Sequence, residues 1–502
     1  MIKILRLLSI MLFMGIFFIA CERSDVAKST AVAEDTPAYT REVGPTVIPV
    51  EATLFTPTPV TDTPLMEGTA VITAPAVNPF LDQVAEDTWA YLSSEWARAN
   101  HLPWSWRSET MSGGDFANTA EIGFLALSWL AAYDMAEPWS PTWGQSEAEV
   151  VAILDQLRAW QTGSQPQQPN GPNAYNNSVF YQWYWISPNP PVVSGNPNDH
   201  LVPSIDNAWL AASLMVIREY AVANGHPALQ QKADAILDDM DFMLWYDPDT
   251  HLFSWGEVED PSGGTLADYY SNENRIINFV ARALGQMTTA EYQASLAALT
   301  RPEGVYNGIT VAAMAWDGSY FTYGGPALFI REMETAYGTD TIEPATEAQI
   351  AYAADQGYEA WGLSDCYDVG EGGYVQQGAP PAGLIPPETR PGLVSPHASA
   401  MALITPLATQ AITNLQTIAD MYSCVYHSQY GFYDSVMTNP NAPDYGQCSH
   451  RFSTLNQEWI FLSLVDENSD FIWHYFYNDA GVQQAHAEMF NEYVVFLPNM
   501  LR

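Results

Sequence analysis

Six stretches of this chain share one pattern: a polar or acidic first turn, then an apolar run broken at helical spacing. They are AEIGFLALSWLAAYDM from Ala120, NAWLAASLMVIREYAVAN from Asn207, NENRIINFVARALG from Asn272, GGPALFIREMETAYG from Gly324, HASAMALITPLATQAITNL from His397 and LNQEWIFLSLVDE from Leu455. A helix that is apolar around most of its circumference must be covered on nearly every side. More polar helical text falls between these runs. Examples are DQVAEDTWAYLSSEWARAN (82–100), SEAEVVAILDQLRAWQ (146–161, with Ser146 at the cap position) and TEAQIAYAADQGYEAWG. Buried helices alternating with half-buried ones close most simply into a ring with an inner and an outer layer. The expected fold is therefore mainly α, an (α/α)6 toroid with long loops. A few short strands are expected in HLFSWGEVEDPSGG and over 306–325, and a last helix with a terminal strand or strap follows the sixth run.

Acidic residues number 58 against 17 lysines and arginines, a formal charge of -41. A phosphate backbone would be repelled over most of such a surface, which excludes nucleic acid as a partner. The 17 Trp and 27 Tyr exceed what a core filled mainly by Phe would use. Indole and phenol rings stack on the C–H faces of sugars, so the set points to an oligo- or polysaccharide; the same rings also pack inter-helix loops in a large domain.

Residues 1–21, MIKILRLLSIMLFMGIFFIAC, read as a signal peptide: Lys3 and Arg6 are followed by an apolar segment over 7–19. The ending FIAC resembles a lipobox with Cys21 as the lipidated residue, which would make an N-terminal lipid the chain's contact with a membrane and place it outside the cell or on its surface. Residues 22–77 are rich in Thr, Pro, Ala and Val without helical or strand period, as expected of a disordered tether. The folded domain is expected over 78–502, as a monomer. Export permits a disulfide among Cys366, Cys424 and Cys448, and Cys424–Cys448 closes the shortest loop. The cysteines lack zinc-site spacing. Asp247, Asp249, Glu257 and Glu259 alternate as calcium ligands can, without the twelve-residue calcium-loop pattern, so no cofactor is expected. No Gly-rich nucleotide loop, HExxH or GxSxG is present.

In a ring of helix pairs, the loops preceding the inner helices converge on one face. Acids cluster at those places: Glu121, Asp206, Glu273, Asp317, Asp365 and Glu458. Each could be only a cap or a partner of the helix dipole. Together they suit glycoside hydrolysis, which needs one protonated carboxyl to donate to the leaving oxygen and a second to activate water or attack carbon. Glu273 opens a buried run beside Tyr269 and Tyr270 and is the expected general acid, its alternative being an ion pair with Arg275. Asp206 is the base or a ligand for sugar hydroxyls, Asp365 orients water, and Glu458 is a further base candidate at the last inner helix. Tyr181, Trp183, Trp185, Trp255, Tyr320, Trp361 and Tyr367 are candidate subsite platforms, and Asp434 grips a hydroxyl or ends a turn. His397 is expected to be structural.

The chain resembles the glycoamylase-like domain family, which is similar to the endo-β-1,2-glucanases of glycoside hydrolase family 144 and to domains of cyclic β-glucan synthases. The resemblance lies in FYQWYW, PSIDNAWLAASL, NENRIINFVARALG, AWDGSYFTYGGPALF, WGLSDCYD, GYVQQGAPP, VSPHASAMAL, YGFYDSV and LNQEWIFLSL, in the family's order over about 120–470. It implies the (α/α)6 toroid and exported action on a glucan. Two departures stand out: Thr322 occupies a place where the family has an acid, and the family's SESAY-like stretch is SDCYD, with Cys366 after Asp365. A tethered carbohydrate-binding protein without catalysis is the alternative that Thr322 keeps open. A toroidal polysaccharide lyase is disfavoured by the scarcity of basic residues to meet a uronate.

Overall fold

The computed structural model describes residues 78–164 and 173–490. The leader over 1–21, the tether over 22–77 and the terminal strap lie outside the described residues. Fourteen α-helices occur within them: α1 (Pro79–Ser93), α2 (Thr119–Asp134), α3 (Trp143–Gln161), α4 (Ser204–Asn224), α5 (Pro227–Leu237), α6 (Asn274–Ala283), α7 (Thr289–Ala298), α8 (Tyr320–Phe329), α9 (Glu343–Gln356), α10 (Pro396–Met401), α11 (Ala408–Met421), α12 (Thr454–Ser469), α13 (Phe471–Phe476) and α14 (Ala480–Phe490).

The six apolar runs supply the inner ring: α2, α4, α6, α8, α10 and α12. Neighbours pack in that order from α2 to α6 and from α8 to α12, α12 returns to α2, and α6 is joined to α8 by the Arg275 side chain. Behind them stand α3, α5, α7, α9 and α11, while α1, first in the chain, covers the last inner helix and completes the sixth pair. This is the expected (α/α)6 toroid. Its strands are short two- and three-residue pieces, including the hairpins Tyr246–Asp247 with Leu252–Phe253 and Gly304–Tyr306 with Ile309–Val311.

Large rings fill the axis of the toroid. Phe124 of α2, Trp209 of α4, Phe329 of α8 and Trp459 of α12 meet with centroids 4.6–6.0 Å apart. Helices with small residues at their contacts approach closely: a Cβ on Gly123 would lie 3.0 Å from the Leu210 backbone, and one on Gly325 would lie 3.3 Å from the Trp459 ring. At the C-terminal ends of the inner helices, α13 packs against α4, α8 and α12. The Trp473 indole donates to Ala327 O at 3.1 Å, and Phe476 lies 5.9 Å from both Phe279 and Phe329.

The seam between α6 and α8 is polar. Pro326 lies inside α8 and has no N–H, so the Thr322 carbonyl one turn earlier lacks its helical donor. Arg275 of α6 supplies it: Nη1 donates to Thr322 O at 2.7 Å and Nη2 to Tyr323 O at 2.9 Å. The same guanidinium grips Glu332 at 2.7 and 2.9 Å, and both side chains are fully buried. Arg275 is thus structural, and its ion pair is with Glu332.

Four sequence expectations shift. The first helix ends at Ser93 rather than near residue 100, because the Ser93 and Ser94 hydroxyls turn back to Trp89 O and Tyr91 O and Arg98 folds onto Ser93 O. The cap of α3 is Thr142, in a capping box with Gln145, whereas Ser146 is buried and donates to Trp129 O. The fourth inner helix starts at Tyr320 and stops before the REMETAYG text, which forms tighter and wider single turns. The fifth inner helix is only the six residues of α10, continued by a 3-10 turn. The expected Cys424–Cys448 disulfide is present, and Cys366 is free and buried.

Candidate active site

The acids foreseen at the heads of the inner helices gather at the N-terminal end of the ring, and they influence one another electrostatically. Three reach solvent: Asp206 in the first turn of α4, Glu273 just before α6, and Asp365 in the loop between α9 and α10. Glu121, Asp317, Asp434 and Glu458 are buried.

Glu273 accepts a hydrogen bond from the Trp209 indole at 3.0 Å. Trp209 lies three residues after Asp206 on α4, so one helical turn separates Asp206 from the indole that holds Glu273, and the Asp206 charge is felt at Glu273. Burial pushes the Glu273 carboxyl up to about 8, and the negative fields of Asp206 and Asp317 add to this against the Trp209 bond. Asp206 is raised less, to about 6: burial is opposed by hydrogen bonds from Asn118 and Gln182. At neutral pH the pair therefore holds one protonated and one ionised carboxyl.

Asp365 and Asp317 form a second pair, within electrostatic reach of Glu273. Asp317 accepts from Ser319 N at 3.0 Å and from the Gln376 amide at 3.3 Å, while Asp365 accepts from Gln377 N at 2.8 Å. Burial raises both, and the negative field of Asp317 raises Asp365 further.

The buried acids have other occupations. Glu121 completes the capping box of α2, accepting from Asn118 N at 2.8 Å and the Ser105 hydroxyl at 2.6 Å; burial lifts it to about 7. Asp434 accepts from Tyr367 N and from Asn456 Nδ2 at 2.7 Å, fixing the loop that carries Tyr367; burial lifts it to about 7. Glu458 is 0% exposed, with neither oxygen hydrogen bonded among the described residues, and burial holds it protonated well above the usual carboxylate range.

The aromatic candidates divide in the same way. Strand Trp183–Trp185 pairs with Phe116–Asn118, placing Trp183 opposite Asn118 and Trp185 opposite Phe116. Strand alternation turns Tyr184 into the core and leaves Trp183 and Trp185 half-buried on the other side. Trp255 is half-buried, and its carbonyl receives Ser204 N at the head of α4. Tyr367 is nearly buried, with the Arg451 guanidinium 4.7 Å from its ring and Trp106 beyond. Tyr181 and Tyr320 are corrections: both rings are fully buried, with hydroxyls donated to Glu259 and paired with Thr346. Trp361 likewise packs behind α10, its backbone tied to Asn414 of α11. Thr322 is buried in α8, its hydroxyl donated to Ser319 O.

Residues missed from the sequence are Asn118, Gln182 and Gln376, which bond the acids, Trp106, whose ring lies 6.4 Å from that of Tyr367, and Trp316, next to Asp317 in the chain. They come from loops or helix heads, where no period marks which side chains face inward. The alternating acids near Asp247 do not converge: Asp247 accepts from Asp249 N and the Thr250 hydroxyl within its own turn, and Glu259 binds His200 and Tyr181. Among the described residues no group of three or more His, Cys, Asp or Glu side chains is arranged to hold a metal ion.

No family model matches the chain, and no curated protein does. Solved structures do. A provisionally named glucoamylase from Bacteroides caccae superposes with a TM-score of 0.66 at 18% identity, over 82% of this chain and 98% of that one. The endo-β-1,2-glucanase of Chitinophaga pinensis, solved with sophorotriose and glucose, gives 0.63 at 16% identity, over 82% and 97%. That of Talaromyces funiculosus with sophorose gives 0.60 at 15%, over 83% and 90%. The chain shares their fold. In all three cases the superposition takes in nearly the whole of the other chain, as it must if the complete ring is common to both.

Proposed function

We propose that this protein is an exported glycoside hydrolase that cuts a neutral glucan, β-1,2-linked, by two-carboxylate catalysis. The observation that carries the reading is the Asp206–Glu273 pair: two solvent-reached carboxyls linked by Trp209, which lies one helical turn after Asp206 and bonds Glu273, with surroundings that raise Glu273 to about 8 and Asp206 only to about 6. Glu273 donates its proton to the glycosidic oxygen as the C1–O bond breaks. Asp206 takes a proton from the water that attacks C1, and the resulting hydroxyl completes the reducing end. Asp365, with Gln376, receives hydroxyls of the flanking sugar, with Asp317 behind them, while Trp183, Trp185 and Trp255 offer ring faces. The likeness in fold to structures that hold sophorose and sophorotriose supports a β-1,2-glucan over other glucans. Cleavage or lipidation at Cys21 and the 22–77 segment would place the ring outside the membrane on a tether.

The test is product release from a panel of neutral polysaccharides that includes linear β-1,2-glucan, with E273Q alongside. Short oligosaccharides from β-1,2-glucan alone, lost in E273Q, are the expected result. Cleavage of another glucan instead would overturn the linkage. Binding without cleavage of any polymer would replace hydrolysis by a carbohydrate-binding role.

A further inference from the structure

One cation of this chain stands apart from the rest. Every other described lysine and arginine is ion-paired or donates to a backbone carbonyl. Arg107 makes no ion pair and no side-chain hydrogen bond among the described residues, in a chain with 58 acids. Glu109, two residues on, turns instead to Tyr433 and His427. Asp115 is felt electrostatically at Arg107 without pairing with it.

The guanidinium is held by rings. It lies 4.1 Å from the Trp104 centroid and 5.2 Å from that of Trp96. Tyr430 stacks on Trp96 at 5.2 Å and 18°, and His427 stacks on Tyr430 at 5.2 Å and 14°. The result is a row of five flat groups: Trp104, Arg107, Trp96, Tyr430 and His427. Trp106, the strand neighbour of Arg107, turns the other way, to Tyr367 and Arg451. The row therefore stands on the reverse of the strand that carries Trp106.

Inside such a row the faces are covered, and what each group offers outward is its edge. The edges carry donors: the terminal nitrogens of Arg107, the indole N–H groups of Trp104 and Trp96, and the Tyr430 hydroxyl. None has a partner among the described residues, and all four side chains are part-exposed. Arg107 Nε is shut in, so Nη1 and Nη2 are the ends that meet solvent. A guanidinium fixed between indoles loses little further freedom when its in-plane donors are used. Guanidinium and indole can only donate, so the ligand they fit is rich in acceptors. A polyanion would be repelled by a chain of charge -41. An uncharged polyol meets both demands, with neighbouring hydroxyl oxygens set against the fork of Arg107.

We propose that the edge of this row is a second glucan-binding site, separate from the acids, which holds the polymer through Arg107, Tyr430 and the two indoles. That the polyol is a neutral glucan rests on the function proposed above; the site itself does not require that the polymer be cut.

The experiment is affinity electrophoresis of the full chain in gels holding each neutral glucan of the panel in turn, linear β-1,2-glucan among them. E273Q serves as the background so that the polymer stays intact. R107Q and Y430F remove edge donors and leave the rings in place. Both should weaken retention, R107Q by roughly tenfold, as the loss of a hydrogen bond from a charged donor implies. With Glu273 restored, R107Q should raise KM for long glucan, leaving its kcat and the kcat/KM for a short oligosaccharide unchanged. Unaltered retention in both variants, equal losses on long and short substrates, or stronger retention of polygalacturonate than of any neutral glucan would overturn the proposal. Retention that depends on Arg107 in a protein that cuts no glucan would overturn the hydrolase reading and leave this site standing. Cleavage without such retention would do the reverse.

Discussion

The Trp209 indole donates to a carboxyl that is protonated at neutral pH, yet the bond favours the ionised form, since it partly offsets the burial that raises Glu273. W209F removes that donor and should move the alkaline limb of the pH–rate profile upward, measured as kcat/KM on the cleaved glucan. In the unaltered protein, activity should rise as Asp206 loses its proton around pH 6 and fall as Glu273 loses its own around pH 8. E273Q should lose roughly 10²–10⁴-fold in kcat, the usual worth of general acid–base catalysis. The acids of this site were legible because an acid opening an apolar helical run stands out in the text. Ser319, Gln376 and Trp316 were not, since a serine or glutamine in a loop carries no sign of what it faces. Tyr181 and Tyr320 misled for a related reason: a phenol reads the same whether its ring lines a cleft or lies in the core with its hydroxyl bonded to a neighbouring side chain.

At the scale of elements, the weakest-looking join in the ring is the one best tied. Pro326 frees the Thr322 carbonyl, and Arg275 fills the vacancy while neutralising Glu332. R275A would leave a buried carboxylate and two carbonyls without their donor, at a cost of about 3–5 kcal/mol. A lowered denaturant midpoint should show it, with much of the loss recovered in an R275M/E332L double substitution that removes both charges. The helical period revealed the six inner helices, because a run buried all round has few alternatives. It did not give the start of α8. The Gly324–Gly325–Pro326 text looks like a beginning, yet these residues sit mid-helix, the glycines because Met401 and Trp459 press against them and the proline because a side chain of another helix serves its partner. Tertiary contacts of that kind leave no local trace.

For the whole molecule, the acid-rich interior reverses the usual pH dependence of stability. Glu121, Asp206, Glu273 and Asp434 hold protons in the folded state up to about 6–8, whereas the unfolded chain releases them near pH 4. Between those limits the folded state binds more protons, so stability is greatest at or below the unfolded values and falls as pH rises through the folded ones. Glu291 and Glu488, lowered by their hydrogen bonds, act in the opposite sense, but only below the unfolded range and near the surface. The melting temperature should therefore be higher at pH 5 than at pH 8; an optimum at pH 8 would contradict the protonation assigned to the cleft. Separately, the Cys424–Cys448 bridge, spanning 24 residues, should contribute about 3 kcal/mol by restricting the unfolded chain. Reduction, or C424S/C448S, should lower the melting temperature without altering the pH trend.

The plug at the far end sets the traffic of the molecule. With α13 pressed against the ends of α4, α8 and α12, and Phe476 under Phe329, the ring is a cup rather than a pipe. A polymer cannot be reeled through it. On the hydrolase reading it would be laid across the rim, and what is severed there would depart by the doorway through which it came.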